Sequence, residues 1–209
     1  MYNIVYNDIS PSMDDLTIET YNKIAEKYAE THWDTHSMDK QYCDFINFLN
    51  GKRLLDAGCG PGRDTRYFLS KGYRVTSIDK SKGMLAEAQK RVAGGDFREM
   101  DMLKLKFKAK MFDGIWCCAS LLHIRKSDAA RVLTGFNKIL KDKGILFLSL
   151  KMGRGERIVT YPDGNRRFFS YYSEKEIVEL VERNFKVLKV STQSEKQGDV
   201  WVNVFAQKA

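Results

Sequence analysis

The chain has 209 residues, of which 43% are hydrophobic and 12% aromatic, and it carries a formal net charge of +8. This length supports one substantial core rather than two full domains. No run approaches the roughly 18 consecutive apolar residues of a membrane span, and the first residues, MYNIVYNDIS, show neither a basic nor an apolar signal region. We therefore expect one cytoplasmic domain, a monomer or homodimer, without membrane attachment.

Charge is unevenly spread along the chain. Residues 1–50 contain three Lys/Arg against nine Asp/Glu, which leaves 32 against 18 in the remainder. A basic body of this kind attracts anionic metabolites or RNA, although solvated surface lysines are the simpler interpretation.

Cysteine and histidine spacing does not indicate a metal site. The four cysteines include no C-x-x-C pair, and His32 and His36 stand four residues apart without a third ligand. We predict reduced cysteines, both histidines at the surface, and neither a zinc site nor a disulfide framework.

Hydrophobic periodicity predicts helices and strands in alternation. Two helices, over residues 14–31 and 39–50, precede the first strand. Short apolar runs then alternate with amphipathic stretches: strands over 53–56, 74–78, 96–99, 112–117 and 144–150, with helices over 63–71, 83–91 and 127–140. This alternation is typical of a mostly parallel sheet covered by helices on both faces.

The last quarter of the chain departs from this rhythm. A helix over 173–182 leads to strands over 185–191 and 201–206, joined by the polar turn SEKQGD. We predict an α/β, Rossmann-like fold with seven strands, mostly parallel, and an antiparallel last strand. Residues 1–50 form a helical cap, 51–150 a ligand-binding core, and 151–209 a substrate-side insertion and hairpin.

Several polar residues follow the predicted strands at one edge of the sheet, where ligands bind in open α/β folds. Asp56, Asp79 and Asp101 end or follow the first three strands, and residues 117–119 follow the fourth. Asp79 lies about 20 residues beyond a glycine turn, a spacing that suits hydrogen bonds to ribose hydroxyls. The sequence therefore predicts a bound adenosine.

The glycine turn itself, LLDAGCGPGRD, has the spacing G-x-G-x-G at Gly58, Gly60 and Gly62. A dinucleotide turn needs its third glycine one residue later. The flanking carboxylates Asp56 and Asp64 repel a diphosphate and favour a ligand that carries an ammonium or sulfonium group.

Together these motifs resemble the class I S-adenosylmethionine-dependent methyltransferases (types 11 and 25). LLDAGCGPGRD is similar to their first motif, and VTSIDKS (75–81) to their ribose motif. GDFREMDMLKLKF (95–107), FDGIWCCASLLHI (112–124) and KDKGILFLSL (141–150) resemble the adenine segment, the fourth motif and the strand after it. The resemblance spans roughly residues 16–207 with five motifs in order.

The resemblance implies S-adenosylmethionine as the methyl donor and assigns roles by matching position. Asp79 would hold the ribose, Asp101 the adenine amine with Met102 beside it, and the backbone of Cys118 and Ala119 the methionine ammonium. The full set of implied donor-binding residues is Tyr28, Trp33, Asp56, Gly58, Cys59, Gly60, Gly62, Asp64, Thr65, Asp79, Lys80, Met84, Asp101, Met102, Cys118 and Ala119. For Tyr28 and Trp33, aromatic packing under a cap is an equal alternative.

Methyl transfer is a displacement for which the protein mainly supplies alignment and water exclusion. A hydroxyl acceptor usually benefits from a base, and His123, after the fourth motif, is the candidate because an imidazole titrates near neutral pH. A structural role for His123 is the alternative interpretation, and we favour it.

The segment over 151–172 combines five basic residues with five aromatic ones. Arginines clamp carboxylates or phosphates and aromatics stack on planar rings, so an anionic, partly aromatic small molecule suits it as substrate. We name Arg154, Arg166 and Tyr171 as substrate candidates. The alternative is a β-hairpin around PDGN whose aromatics pack on the core while its arginines face water.

Three other functions stay open. An RNA-modifying methyltransferase would use the same basic and aromatic residues, although no RNA-binding module is appended. An NAD(P)-dependent oxidoreductase would also use Asp79, but its glycine spacing and a hydride-transfer pair are missing. The third is a non-catalytic adenosyl-binding subunit.

Overall fold

The computed structural model describes residues 13–34, 36–195 and 198–209. The helices within these ranges are α1 (Met13–Thr31), α2 (Asp39–Phe48), α3 (Arg63–Ser70), α4 (Lys82–Arg91), α5 (Lys126–Ile139) and α6 (Glu174–Glu182). The strands are β1 (Arg53–Ala57), β2 (Arg74–Asp79), β3 (Asp96–Glu99), β4 (Phe112–Cys118), β5 (Leu140–Lys151), β6 (Glu156–Thr160), β7 (Arg166–Ser170), β8 (Lys186–Ser194) and β9 (Val200–Gln207). The helical period before Gly51 and the alternation after it are thus confirmed.

Seven of these strands form one sheet in the order β3-β2-β1-β4-β5-β9-β8. The pairs up to β5 are parallel, and β9 is antiparallel to both β5 and β8. The predicted α/β, Rossmann-like sheet with one antiparallel strand is therefore confirmed. Strand order reverses between β1 and β4, which places a ligand crevice at their carboxyl ends.

Alternation along the strands builds a core on each face of the sheet. Leu55, Ile115 and Leu148 belong to one fully buried cluster, while their neighbours on the same strands belong to the other. In that second cluster the Trp116 ring stacks on Phe147 at 3.9 Å. Because successive strand side chains point to opposite faces, these continuous apolar runs are buried on both sides.

Two further strands, β6 and β7, form a separate antiparallel hairpin between β5 and α6. Its turn closes with hydrogen bonds from Tyr161 N to Asn165 O (2.8 Å) and from Gly164 N to Tyr161 O (2.9 Å). The predicted hairpin around PDGN is confirmed. Phe168, Phe169 and Ser170 are buried, whereas Arg166 is exposed.

Helix α1 is fixed to the hairpin by side chains. Phe168 N donates to Thr17 Oγ1 (2.9 Å), and Thr20 Oγ1 donates to Arg166 O (2.6 Å). On its other side, Asn22 Oδ1 accepts from Gly83 N (2.9 Å). The helix therefore bridges the start of α4 and the free edge of the hairpin. Among the helices in the described ranges, none is both long and apolar enough to cross a bilayer.

Candidate functional site

A cavity of about 920 Å³ opens at the carboxyl ends of the parallel strands, under α1 and the β6–β7 hairpin. Its volume lies near the upper end of ordinary ligand sites, about 300–1,000 Å³, which leaves room for two ligands side by side. We call its two parts the strand-end half and the hairpin half. The strand-end half contains residues 58–61, 79–80 and 100–103, Met84, and residues 118–120; the hairpin half contains Tyr21, Lys151, residues 157–161, Arg167, Phe169, Tyr171 and Trp201.

The glycine turn needs its glycines for separate steric reasons. A Cβ on Gly58 would lie 1.7 Å from Ser120 Oγ, whereas one on Gly60 would meet nothing within 4 Å. Both residues have positive φ, +79° and +52°. The Gly60 backbone therefore faces open cavity, and Gly58 lets the β4 end pack against the turn.

Asp79 ends β2 beside this turn, and its carboxylate is oriented by backbone donors. Its Oδ2 accepts from Gly60 N (2.9 Å) and its Oδ1 from Ser81 N (2.8 Å). Burial raises the pKa of Asp79, and these N–H groups oppose that rise. A carboxylate has about four lone pairs, so two donors leave capacity for a pair of ligand hydroxyls.

Asp64 is neutralised within the protein. The Arg63 guanidinium donates to it through Nε (2.6 Å) and Nη2 (3.1 Å), and the Tyr42 hydroxyl and Trp116 Nε1 complete its hydrogen bonds. Burial disfavours its charge, but Arg63 and these donors hold the pKa of Asp64 below its usual value.

Asp56 lies behind the turn, 2% exposed, and accepts from Thr65 Oγ1 at 2.6 Å. Burial and then the charge of Asp64 raise its pKa. The surroundings of these two carboxylates therefore do not support the predicted attraction of a cationic group. Asp64 is already paired with Arg63, and Asp56 is buried behind the turn. Asp56, Gly62 and Thr65 support the turn from outside the cavity wall.

The remaining predicted strand-end residues do meet at the cavity. Asp101 accepts from Leu103 N (2.8 Å) and lies 3.7 Å from the Lys80 ammonium. Cys59, Met84, Met102, Cys118 and Ala119 also line this half. Ala119 has a φ of +50°, unusual for a residue with a side chain, and its N–H donates to Ser149 O at 3.0 Å.

His123 lies where the two halves meet, and both of its ring nitrogens are hydrogen-bonded. Nδ1 lies 2.7 Å from Phe168 O, which only accepts, so Nδ1 carries the proton. Nε2 lies 2.9 Å from the Tyr21 hydroxyl and accepts from it. The Tyr21 oxygen in turn accepts from Arg167 Nη1 at 2.9 Å.

These bonds contradict the assignment of His123 as a general base. Burial, and then the nearby charge of Arg167, lower the pKa of His123 to about 3. A base that weak is far from the neutral values that suit proton abstraction, and its lone pair is already used by Tyr21. His123 is hydrogen-bonded to Tyr21 and to the hairpin backbone, an arrangement that the structural interpretation expects.

Tyr28, predicted to face the ligand, lines the cavity, and the ring of His32 stacks on it at 3.9 Å. Trp33 does not reach the cavity, because its ring packs under the guanidinium of Arg66, 4.3 Å away, with Arg91 beyond. His32 is exposed, as predicted, while the side chain of His36 lies outside the described part of the chain. The described residues contain no group of three or more potential metal ligands.

Among the substrate candidates, Tyr171 lines the cavity, but Arg154 and Arg166 are exposed and do not. Arg166 fails because neighbouring strand residues point to opposite faces, so it is Arg167 whose side chain enters. Arg167 and its ring partner Tyr161, 4.2 Å away, were missed in the sequence. Because Phe168 and Phe169 are both buried, the hydrophobic pattern alone does not show which of the two arginines enters the cavity.

The hairpin half holds hydrogen-bond donors without partners. Within the described residues, Arg167 forms no ion pair, and its buried Nε has no acceptor. Trp201 Nε1 is likewise buried without an acceptor. The Phe169 ring centroid lies 5.6 Å from the Arg167 guanidinium and 5.4 Å from the Lys151 ammonium, which is also 5.5 Å from the Trp201 ring. We call these four residues the cationic strip.

Comparison with known proteins agrees with this architecture. A family model described as a methyltransferase domain matches residues 54–144. The fold resembles the solved structure of Burkholderia thailandensis 1,6-didemethyltoxoflavin-N1-methyltransferase with bound 1,6-didemethyltoxoflavin and S-adenosylhomocysteine, with a TM-score of 0.80, 21% identity, and coverage of 100% of this chain and 95% of that chain. Residues 54–144 therefore match the methyltransferase domain family, and the whole chain has the fold of a solved S-adenosylhomocysteine-bound methyltransferase.

Two relatives of this chain act on different molecules, according to their names. Malonyl-[acyl-carrier protein] O-methyltransferase of Salmonella typhimurium is 33% identical over 93 residues, 42% of this chain and 37% of that protein. Demethylmenaquinone methyltransferase of Thermotoga maritima is 30% identical over 140 residues, 61% of this chain and 58% of that protein. The chain thus spans less than two thirds of either relative.

The strand-end half of the cavity fits S-adenosylmethionine on its own geometry. The Gly60 backbone opens onto free space, Asp79 retains accepting capacity, and Asp101 stands beside the apolar side chains of Met102 and Leu103. These groups suit, in turn, the amino-acid portion, the ribose and the adenine of the donor.

Proposed function

We propose that this chain transfers a methyl group from S-adenosylmethionine to an O or N atom of a small anionic molecule with a planar part. The observation that carries the proposal is the Arg167 guanidinium, which faces the cavity with no carboxylate partner in the described chain. A partly buried charge without a counter-ion is costly. An anionic ligand would remove that cost.

The surroundings of Arg167 support a planar ligand as well. The guanidinium lies 4.2 Å from the Tyr161 ring centroid and 5.2 Å from that of Tyr21. Tyr171 lies under a second guanidinium, that of Arg157, at 3.9 Å. Flat side chains of this kind stack on rings and hold them in one orientation.

The bound donor supplies an activated methyl group on a sulfonium, and the protein supplies alignment and water exclusion. Asp79 and the glycine turn orient the donor from the strand-end half. The cationic strip orients the acceptor from the hairpin half, and α1 covers both. Fixing two reactants at the right distance contributes roughly 7–11 kcal/mol to such reactions at best.

The setting that we propose is the cytoplasm. All four cysteines are free thiols, two of them buried, which suits a reducing compartment.

A single labelling experiment tests the proposal against its alternatives. The purified chain is incubated with methyl-labelled S-adenosylmethionine and, separately, the small-molecule and RNA fractions of a cell extract. Label in the small-molecule fraction is the expected result. Label confined to RNA would support the RNA-modifying alternative, and no label in either fraction, despite donor binding, would support the non-catalytic one.

A further inference from the structure

Proton acceptors near neutral pH are scarce around the hairpin half. His123 is engaged through both nitrogens, so its lone pair is not available to a substrate. Burial raises the pKa of the Tyr21, Tyr28 and Tyr161 hydroxyls, the last to about 12. These phenols therefore stay protonated and act as donors.

The carboxylates that line this side of the cavity are engaged or open to water. Asp163 accepts from Asn165 through its backbone and side-chain N–H groups, and Asp199 pairs with the Lys151 ammonium. Glu195 is exposed.

His32, the other imidazole that lines the cavity, is exposed, and its Nδ1 is hydrogen-bonded to Thr31 and to Tyr28 O on α1. Among the side chains that the structure describes, no carboxylate or imidazole forms a hydrogen bond or ion pair with Arg167. A hydroxyl or ammonium acceptor would have to lose its proton without a positioned base.

The polar groups that do converge here are donors. Arg167 has its Nε free and gives one Nη1 hydrogen to Tyr21, and Trp201 has its indole N–H free. The Lys151 ammonium lies within 6 Å of the Phe169 and Trp201 rings. A site made of donors without a base suits an acceptor that arrives already deprotonated and negatively charged.

Resting on the proposed methyl-transfer function, we infer that the methyl acceptor is a carboxylate oxygen, held by the Arg167 guanidinium and the cationic strip, and that the product is a methyl ester. The guanidinium engages one edge of the carboxylate, which leaves lone pairs of the same oxygens free to react.

The step balances without a base. A carboxylate oxygen provides the electron pair of the new C–O bond, while the bond between methyl and sulfur breaks and its electron pair stays on sulfur. The negative carboxylate and the positive sulfonium become a neutral ester and a neutral thioether, and no proton is released. Because two opposite charges disappear together, a cavity that excludes water favours the reaction.

Alkali lability of the product tests the inference. The full chain is incubated with methyl-labelled S-adenosylmethionine and the small-molecule fraction of a cell extract, and the product is then treated with dilute alkali. We expect most of the label as volatile methanol and no proton released per methyl transferred in weakly buffered solution.

Alkali-stable label, or one proton per methyl, would overturn the ester inference while leaving methyl transfer intact. The absence of any transferred label would contradict the proposed function itself. These failures are therefore distinguishable.

Two neighbouring arginines provide matched variants. Arg167→Gln should lower the rate at which label enters the alkali-labile product on the order of 100-fold in the same extract assay, with donor binding in calorimetry unchanged. Arg166→Gln should change neither, because that side chain points away from the cavity. Equal losses in both variants, or none in Arg167→Gln, would overturn the role given to the strip.

Discussion

The two halves of the cavity are built by different means. In the strand-end half, the turn and carboxylate that would hold the donor lie close in sequence, with Asp79 oriented by Gly60 N and Ser81 N. In the hairpin half, the groups come from distant parts of the chain, since Tyr21 is 102 residues from His123 and 146 from Arg167. The first half depends on local turns, and the second on the docking of α1.

The halves also differ in how completely their polar groups are satisfied. Asp79 and Asp101, in the strand-end half, accept from backbone N–H groups of the protein. Arg167 Nε and Trp201 Nε1 are buried without an acceptor. The strand-end half is thus organised before any ligand binds, whereas the hairpin half has donors that an anionic acceptor would satisfy.

The largest expected effect is the loss of donor binding when Asp79, in the strand-end half, is replaced. Asp79→Ala should weaken S-adenosylhomocysteine binding by about 3 kcal/mol, on the order of 100-fold, because two charge-assisted hydrogen bonds are lost. Calorimetric titration measures the change. Asp96→Asn, at the first residue of β3 where Arg98 and Thr76 hold the carboxylate, is the control and should bind normally. Unchanged affinity in Asp79→Ala would refute the assigned role.

Lowering the pH should reduce the free energy of unfolding, because His123 is neutral in the folded chain. Its folded-state pKa, about 3, lies below the ordinary value of 6.5. Between these values the unfolded chain binds a proton that the folded chain does not, so the free energy of unfolding falls as the pH drops from 6.5 towards 3. We expect His123 to account for about 2 kcal/mol of that fall, discounted for partial solvent screening.

Denaturant unfolding at pH 7 and pH 4.5 measures this contribution. His123→Asn keeps a donor for Phe168 O and removes the titration, so its stability should fall less between the two pH values than that of the wild type. Equal losses in both proteins would show that His123 titrates normally.

A smaller effect is expected at Tyr21, which joins α1 to the hairpin half. Tyr21→Phe removes the hydroxyl that accepts from Arg167 and donates to His123. We expect kcat/KM for the acceptor to fall about 10-fold, or roughly 1.4 kcal/mol, with donor affinity unchanged. Tyr73→Phe, whose hydroxyl lies outside the cavity wall, is the control. A loss of donor affinity in Tyr21→Phe would show that the halves are not separable.

The smallest expected effect concerns Trp33. Trp33→Leu should lower stability by about 0.5–1 kcal/mol, because it removes the contact with the Arg66 guanidinium, and should leave the S-adenosylhomocysteine affinity as it is. Thermal unfolding and calorimetry together check this. Weaker donor binding at unchanged stability would restore the ligand-facing role predicted from the sequence.

The strand-end half was largely predictable because its residues follow strands in a fixed local order. Asp79 and Asp101, which were predicted to end or follow strands, both line the cavity. The electrostatics of the turn were not predictable, since Arg63 stands next to Asp64 in sequence and cancels its charge. Charge signs read along a chain do not show which side chains pair.

The residues of the hairpin half were harder to predict, because a shift of one residue along a strand decides whether a side chain faces the cavity. Arg166 and Arg167 are neighbours with the same chemistry, yet only Arg167 enters the cavity. No local pattern marks Tyr21, since its partners lie more than 100 residues away. Such contacts depend on how α1 docks, which no local pattern encodes.

Calorimetric titration of the wild-type chain with S-adenosylhomocysteine and with NAD tests the central claim most directly, because both ligands would use Asp79 and the glycine turn. Tight binding of S-adenosylhomocysteine with no detectable binding of NAD is the predicted result. Tight binding of NAD alone would contradict the assignment of the strand-end half to a methyl donor.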